Sequence, residues 1–197
     1  MSAIMTVAGL VASLLISPQA GSGPPPDKVI IDVAVMNGTA CPPGSAAVVV
    51  APDNTSFTVT YRRAAALADV RRNCQISLRI HSPGFTYAIA EADHRGDLVL
   101  DNGVRAVLSA NYYFQGMSPQ TPVTQSFTGP FADAWELLDK PDIAHLVYLP
   151  CGEERNLNST VDLRLSPGTP DPRKNFVTLD STVFRFAWKS CLSRISR

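Results

Sequence analysis

Short runs of alternating apolar and polar residues, separated by glycine, proline and asparagine, dominate the sequence. In the clearest run, 73–81, the apolar side chains occupy the even positions and the polar ones the odd positions. Because successive side chains of a strand point to opposite faces, this pattern predicts a β-strand with one buried face. Similar runs predict further strands over 29–36, 45–51, 56–62, 85–93, 104–115, 123–128, 144–149, 158–165 and 182–188.

The remaining patterns complete a predicted all-β fold. Phe131 to Leu138 has the best helical pattern, although it is short, and Pro141 follows it. The last strand places Phe184, Phe186 and Trp188 on one face, as core residues would be. Since the chain shows no internal repeat or heptad, we expect one antiparallel β-sandwich domain over 29–191, with about ten strands, one short helix and two disulfides.

The N-terminus has the composition of a secretory signal peptide. Residues 3–16 form a charge-free, mostly apolar run, which is shorter than the roughly 20 residues that a membrane-spanning helix needs. Small residues and three prolines follow, so we expect a signal peptide over 1–20, cleaved between 20 and 23, and a proline- and glycine-rich linker over 21–28. Residues 192–197 are a basic tail. The sequence therefore predicts a secreted, extracellular protein without a transmembrane segment.

The charge balance gives no reason to expect nucleic acid as a partner. Lysine plus arginine and aspartate plus glutamate number 17 each, so the formal net charge is zero. The densest basic group is divided by an apolar insert and consists of Arg62, Arg63, Arg71 and Arg72. The sequence also lacks the motifs that hold nucleotide phosphates, catalytic zinc or a serine nucleophile, so we expect no cofactor, no metal site and no motif-defined catalytic residue.

Four well-separated cysteines favour disulfides over a zinc site. Cys41, Cys74, Cys151 and Cys191 have none of the close pairs that zinc ligands form. Four cysteines allow three pairings. We predict Cys41–Cys74 and Cys151–Cys191, because each bond then links residues within one half of the chain. The alternative is a cytosolic protein with four reduced thiols.

Six short motifs occur in an order that resembles a known secreted family. In chain order, they are Cys41-Pro42-Pro43-Gly44-Ser45, Arg72-Asn73-Cys74-Gln75-Ile76, Asp93-His94-Arg95-Gly96, Tyr112-Tyr113-Phe114-Gln115-Gly116, Pro150-Cys151-Gly152 and Trp188-x-x-Cys191. Together they resemble the fungal and bacterial family known as domain of unknown function 4360. The resemblance implies a secreted, disulfide-linked β protein, but no established activity. His94 departs from the tyrosine that the family usually has there, and the basic tail is a second departure.

The densest group of polar residues lies around Asp93 and is the predicted ligand-binding site. Its members are Glu91, Asp93, His94, Arg95, Asp97 and Asp101. Strand alternation would place Glu91 and Asp93 on the face of Phe85, Tyr87 and Ile89, next to a turn at 95–97, and thus at the rim of a shallow pocket. Three roles are open: a pair of carboxylates for acid–base chemistry, oxygen ligands for calcium, or a structural strand end in which Arg95 pairs with Asp93.

We therefore expect a secreted, non-enzymatic β-sandwich that binds an extracellular partner or polymer. The alternative is a secreted hydrolase, glycan-active or metal-assisted, that uses the carboxylates around Asp93. A third hypothesis is a protease inhibitor whose exposed loop is the proline-rich segment 167–172.

Overall fold

Eleven strands and a single 3₁₀ turn, Ile143–His145, make up the secondary structure of the described chain. The computed structural model describes residues 23–62, 71–118, 122–166, 171 and 174–191. The predicted signal peptide, the basic tail and the loop 167–172, apart from Asp171, lie outside this part. The strands are β1 (Ile30–Asn37), β2 (Ala46–Val50), β3 (Ser56–Tyr61), β4 (Arg71–His81), β5 (Phe85–Leu100), β6 (Arg105–Phe114), β7 (Val123–Thr128), β8 (Phe131–Asp139), β9 (Leu157–Ser166), β10 (Phe176–Val177) and β11 (Ser181–Ser190).

The strands pair antiparallel in two sheets. One sheet has five strands in the order β1-β4-β9-β6-β7. The other has six, in the order β10-β5-β11-β3-β2, with β8 also paired to β5. The β8 pairs run from Ala92 to Leu100 and overlap the β11 pairs, which end at Arg95, so β8 lies on the opposite edge of β5 from β11. The prediction of an all-β, antiparallel fold is confirmed.

The inner faces of the two sheets share one core, which gives the fold a sandwich-like form. Tyr87 of β5 contacts Phe114 of β6 with 5.3 Å between ring centroids. Tyr112 of β6 lies 6.4 Å, edge-on, from Phe184 of β11. The C-terminal aromatic stripe is buried here as predicted, with Phe184 fully enclosed. Aromatic burial of this kind is the main stabilising contribution of such a core.

Two predicted elements are wrong. Phe131 to Leu138 is a strand rather than a helix, because it pairs residue by residue with β5 and buries alternate side chains, Trp135 and Leu137. The predicted strand at 144–149 is instead the 3₁₀ turn followed by irregular chain. Leu149 donates its backbone N–H to the carbonyl of Tyr87 at 3.0 Å. The segment thus covers an edge of β5 without forming a strand.

Strand β5 is also longer than predicted. It continues for 16 residues through Gly96, where the sequence predicted a turn. A glycine is required here because the backbone of Thr178 passes directly over it, and not because the chain turns. Trp135 donates its indole N–H to the same Thr178 carbonyl at 3.0 Å.

Replacing Gly96 with alanine is expected to lower the free energy of unfolding by roughly 1–3 kcal/mol. A Cβ there would lie 2.1 Å from the Thr178 carbonyl oxygen, and backbone on both sides would have to move. Urea unfolding measures the change. Gly23→Ala is the control, because a Cβ at Gly23 meets nothing within 4 Å. Equal stability of Gly96→Ala and the wild type would contradict the close approach.

Both predicted disulfides are present. Cys41–Cys74 links the loop after β1 to β4, and Cys151–Cys191 links the chain before β9 to the end of β11. The first is buried within the core, whereas Cys151 is exposed. No helix in the described part of the chain is long and apolar enough to cross a bilayer.

Candidate functional site

A β-bulge in β5 decides where the predicted carboxylate cluster lies. Arg185 of β11 pairs with Glu91, but the next residue, Phe186, pairs with Ile89, so Ala90 is an extra residue in β5. A bulge of one residue reverses which face each following side chain takes. Tyr87 and Ile89 therefore point into the core, whereas Glu91 and the odd-numbered residues after it point outward. The prediction that all of them share one face is wrong.

The outward carboxylates are held in ion pairs with neighbouring strands. Glu91 accepts a hydrogen bond from Arg185 at 2.9 Å and lies 3.3 Å from Lys140. Asp93 accepts from Arg95 at 2.9 Å. Arg95 also reaches Glu136 of β8 at 2.6 Å. These contacts link β8, β5 and β11 across the outer face, and they favour the structural interpretation in which Arg95 pairs with Asp93.

The electrostatics at Glu91 oppose a role as a general acid. The hydrogen bond from Arg185 holds the pKa of the Glu91 carboxyl below its usual value, against partial burial, which would raise it, and Lys140 acts in the same direction as Arg185. A general acid needs a raised pKa. Among the described residues, no group of three or more histidine, cysteine, aspartate or glutamate side chains is placed to hold a metal ion. The geometry thus supports neither calcium binding nor acid catalysis at this cluster.

His94 points the other way from its neighbours and is fully buried in the core. Its Nδ1 lies 2.9 Å from the Thr182 hydroxyl, and its ring meets Phe184 edge-on. Burial lowers the pKa of His94 to about 4, although the nearby charge of Asp93 acts against this. His94 is therefore a neutral core residue at pH 7, separated from the carboxylates with which the sequence grouped it.

The last two predicted residues are tied to the chain before β11. The backbone N–H of Asp97 donates to the Thr178 hydroxyl at 2.8 Å. The backbone N–H of Asp101 donates to the Asn175 side chain at 2.7 Å, and the Asp101 carboxylate accepts from the same amide group at 3.2 Å. Both contacts fasten this chain to β5. The six predicted residues thus do not converge on one pocket.

An open groove on the outer face of the five-stranded sheet is the better candidate site. We call it the sheet groove; its volume is about 460 Å³. Its lining consists of outward side chains of β6 and β9, together with the buried Ala110 of β6, and with Pro122 and Thr124 at the β7 side. The lining residues are Val107, Ser109, Ala110, Asn111, Pro122, Thr124, Thr160, Asp162 and Arg164.

Strand pairing brings these residues together in cross-strand rows. Asn111 lies opposite Thr160, and Ser109 lies opposite Asp162. The Thr124 hydroxyl donates to the Ser109 hydroxyl at 3.2 Å. The signal in the sequence was the polar half of the alternation in β6 and β9. That alternation marks an exposed face, but it does not say which strands are neighbours.

One carboxylate in the sheet groove is enclosed by two guanidinium groups. Asp162 accepts hydrogen bonds from Arg71 at 2.6 Å and from Arg164 at 2.9 Å. Partial burial by itself would raise the pKa of Asp162, but the bonds from Arg71 and Arg164 outweigh it and hold this pKa below its usual value. The Asp162 carboxylate is therefore charged at neutral pH and compensated within the protein.

The basic group seen in the sequence does not form one patch. Arg71 pairs with Asp162 on the outer face, whereas Arg72 donates to the backbone carbonyl of Thr39 at 2.8 Å. Arg63 lies outside the described residues. The part of the group that the structure describes is thus divided between different partners.

The sequence profile of the family described as "Domain of unknown function (DUF4360)" matches residues 27–191. An uncharacterized secreted protein of Arthroderma benhamiae is 29% identical over 185 residues, which cover 87% of this chain and 75% of the relative. These findings agree with the resemblance carried by the six motifs. The prediction of a secreted protein is confirmed by this relative, whereas the signal peptide itself stays a prediction.

Among solved structures, the chain is similar to TmCBM61 in complex with beta-1,4-galactotriose. The identity is 12%, the alignment covers 83% of this chain and 88% of that one, and the TM-score is 0.30. The family 11 carbohydrate-binding module of the Clostridium thermocellum cellulase Lic26A-Cel5E is 9% identical, with 86% and 90% of the two chains covered and a TM-score of 0.22. At such TM-scores, the likeness carries no argument about function.

Proposed function

We propose a function for this chain, which belongs to the family described as a domain of unknown function (DUF4360). It is an extracellular module that binds a polysaccharide in the sheet groove. The observation that supports this most directly is the chemistry of the groove lining. Asn111 offers both amide donors and an acceptor, and the hydroxyls of Thr160 and Ser109 can each donate and accept. Sugar rings present hydroxyls that need both kinds of partner.

The apolar part of the lining suits the other surface of a sugar ring. Val107 and Pro122 lie among the polar residues of the groove and present carbon atoms to it. A pyranose ring carries C–H groups on its faces, which can pack on such residues, while its edge hydroxyls bind polar groups. Because the groove is open rather than enclosed, a polymer can lie along it without its ends being buried.

The groove is also built on a rigid base. Its side chains stand on β6 and β9, which pair over ten residues, and on β7, which pairs with β6. Side chains fixed by strand pairing lose less conformational entropy on binding than side chains on loops. A preformed surface of this kind, with hydroxyl and amide groups among apolar atoms, suits the binding of a sugar polymer.

The alternative of a secreted hydrolase has no comparable support. Its two proposed carboxylates, Glu91 and Asp93, both lie on the six-stranded sheet and accept hydrogen bonds from Arg185 and Arg95 of that same sheet. The sheet groove contains one carboxylate, Asp162, and two arginines compensate its charge.

Replacing Thr160 with valine is expected to weaken polysaccharide binding about five- to tenfold, the effect of one lost hydrogen bond. The matched control is Thr58→Val, because Thr58 is a half-buried, outward threonine in the middle of β3, on the opposite outer face. Depletion of the protein from solution by a panel of insoluble polysaccharides measures binding. The panel contains cellulose, chitin, xylan, galactan and crosslinked polygalacturonate.

Two results would refute the proposal. One is a panel in which no polysaccharide depletes the wild-type protein. The other is a loss of binding that is the same for Thr160→Val and Thr58→Val. Urea unfolding of both variants separates a binding defect from a loss of stability.

A further inference from the structure

The outer face of the five-stranded sheet carries an excess of positive charge. Strand alternation places on it four guanidinium groups and two carboxylates among the described residues. The arginines are Arg71, Arg79, Arg105 and Arg164, and the carboxylates are Asp32 and Asp162. Because the whole chain has a formal charge of zero, this face differs from the average of the molecule. A ligand with negative charge would complement it.

Arg164 is the arginine that the groove presents directly to a ligand. Its Nε donates to Asp162 at 2.9 Å, and its side chain is 57% exposed. Neither of its Nη groups is bonded to another described residue. The bond through Nε orients the guanidinium, and more than half of the side chain is exposed to solvent. Arg164 thus holds a preformed fork of donors at one end of the sheet groove.

Asp162 does not cancel the charge that a ligand would meet. Its carboxylate already accepts from Nε and Nη2 of Arg71, at 3.0 and 2.6 Å to the same oxygen. The three groups together carry one net positive charge. Arg105 adds a second positive charge on the same face, since it is two residues before Val107, which pairs with Arg164, and its Nη2 donates to the Ser126 hydroxyl of β7 at 3.0 Å. Diagonal neighbours of this kind are roughly 7–8 Å apart.

We infer that the polysaccharide bound in the sheet groove is acidic, and that Arg164 binds a carboxylate of its uronate residues. The inference rests on the proposed function, since it names the ligand class of the same groove. A planar guanidinium donates two parallel, charge-assisted hydrogen bonds to a carboxylate, and these are stronger than its hydrogen bonds to neutral hydroxyls. Arg105 provides a second cation for a ligand that carries repeated carboxylates. Salt weakens binding, because these groups are exposed.

The test compares polygalacturonate with its methyl ester, which has the same backbone without the charge. In calorimetric titration, the wild-type protein is expected to bind polygalacturonate at least about tenfold more tightly than the methyl ester, and this ratio of affinities is the measured quantity. Arg164→Gln is expected to reduce this ratio to about twofold or less, because the loss falls mainly on polygalacturonate. Arg164→Lys keeps the charge but loses the fork, so an intermediate ratio is expected.

Arg185→Gln is the matched control. Arg185 is also 57% exposed and also donates from Nε to a carboxylate, Glu91, at 2.9 Å, but it lies on the outer face of the other sheet. Arg185→Gln should leave the ratio of the affinities for polygalacturonate and its methyl ester unchanged. Equal effects of Arg164→Gln and Arg185→Gln would overturn the assignment of the carboxylate to Arg164.

Further arms separate the inference from the proposed function. If the protein binds both polymers equally and Thr160→Val weakens both, the groove binds polysaccharide but the acidic ligand is wrong. If neither these two polymers nor the insoluble panel is bound, the proposed function itself fails. If poly-L-glutamate bound as tightly as polygalacturonate, negative charge alone would explain the binding. If dextran sulfate bound more tightly than polygalacturonate, the group that Arg164 binds would be a sulfate rather than a carboxylate. Either of the last two results overturns the inference.

Discussion

Replacing Cys41 and Cys74 together with alanine is expected to lower the free energy of unfolding by about 4 kcal/mol from chain entropy alone. The bond closes a loop of 33 residues. The exposed bond, Cys151–Cys191, closes a loop of 40 residues, for which the same argument also gives about 4 kcal/mol. On loop length alone, the two double variants would be nearly equal in stability.

Burial is expected to separate them. Cys41 and Cys74 are 0% and 1% exposed, so their replacement also removes two sulfur atoms from the core, at a further cost of about 1–2 kcal/mol. Urea unfolding of the two double variants measures the difference. If Cys151→Ala/Cys191→Ala were the less stable variant, burial would not be the deciding factor.

The difference in burial between the two disulfides can also be tested with the wild-type protein. Mild reduction without denaturant should open Cys151–Cys191 first, because a reductant can reach Cys151, whereas Cys41–Cys74 should resist until the protein unfolds. Alkylation followed by mass spectrometry identifies the thiols that become free.

Lowering the pH from about 6.5 to about 4 is expected to reduce stability by roughly 3 kcal/mol through His94 alone. The pKa of His94 is lowered by burial to about 4 in the folded chain, from an ordinary value of 6.5. Between these values, the unfolded chain binds a proton and the folded chain does not, so unfolding is favoured as the pH falls. Above pH 6.5, both forms are neutral and the effect vanishes.

His94→Phe is expected to remove this slope, since phenylalanine does not titrate. His145→Gln is the control, because His145 is exposed and its side chain faces solvent. Urea unfolding at pH 7, 5.5 and 4.5 measures the slope. The carboxylates with lowered pKa, Asp53, Glu91 and Asp162, lose their stabilising contribution only below about pH 4.5. Burial raises the pKa of Asp139, which stabilises the folded chain as the pH falls, so a loss of stability between pH 6.5 and 4.5 points to His94. An unchanged slope in His94→Phe would contradict the assignment.

The patterns that were interpreted correctly are local ones. The alternation in 73–81 predicted β4 and its buried face, because one strand contains the whole signal. The aromatic stripe of β11 was predicted for the same reason. The two disulfides join residues that are far apart in the sequence, so no local pattern predicts them. They were nevertheless predicted, because four cysteines allow only three pairings and one of these links residues within each half of the chain.

The errors arose where a partner strand decides the outcome. Ala90 is a bulge only because β11 pairs on both sides of it, and this reverses the faces of Glu91 and Asp93. Residues 131–138 form a strand because β5 offers a free edge there. In the same way, Asn54, which lies between β2 and β3, donates to the carbonyls of Pro25 and Asp27 and so fastens part of the predicted linker to the sheet.

By itself, the amino-acid order determined most of the segments that become strands, which side of most strands faces the interior, and that the cysteines pair in an exported protein. Only the tertiary structure decided where polar groups meet. The outward residues of β9 join those of β6 in the sheet groove although about fifty residues separate them, since neighbours in a sheet are set by topology. The periodicity of a strand indicates which face of the sheet a side chain occupies, but it does not indicate which strand lies beside it.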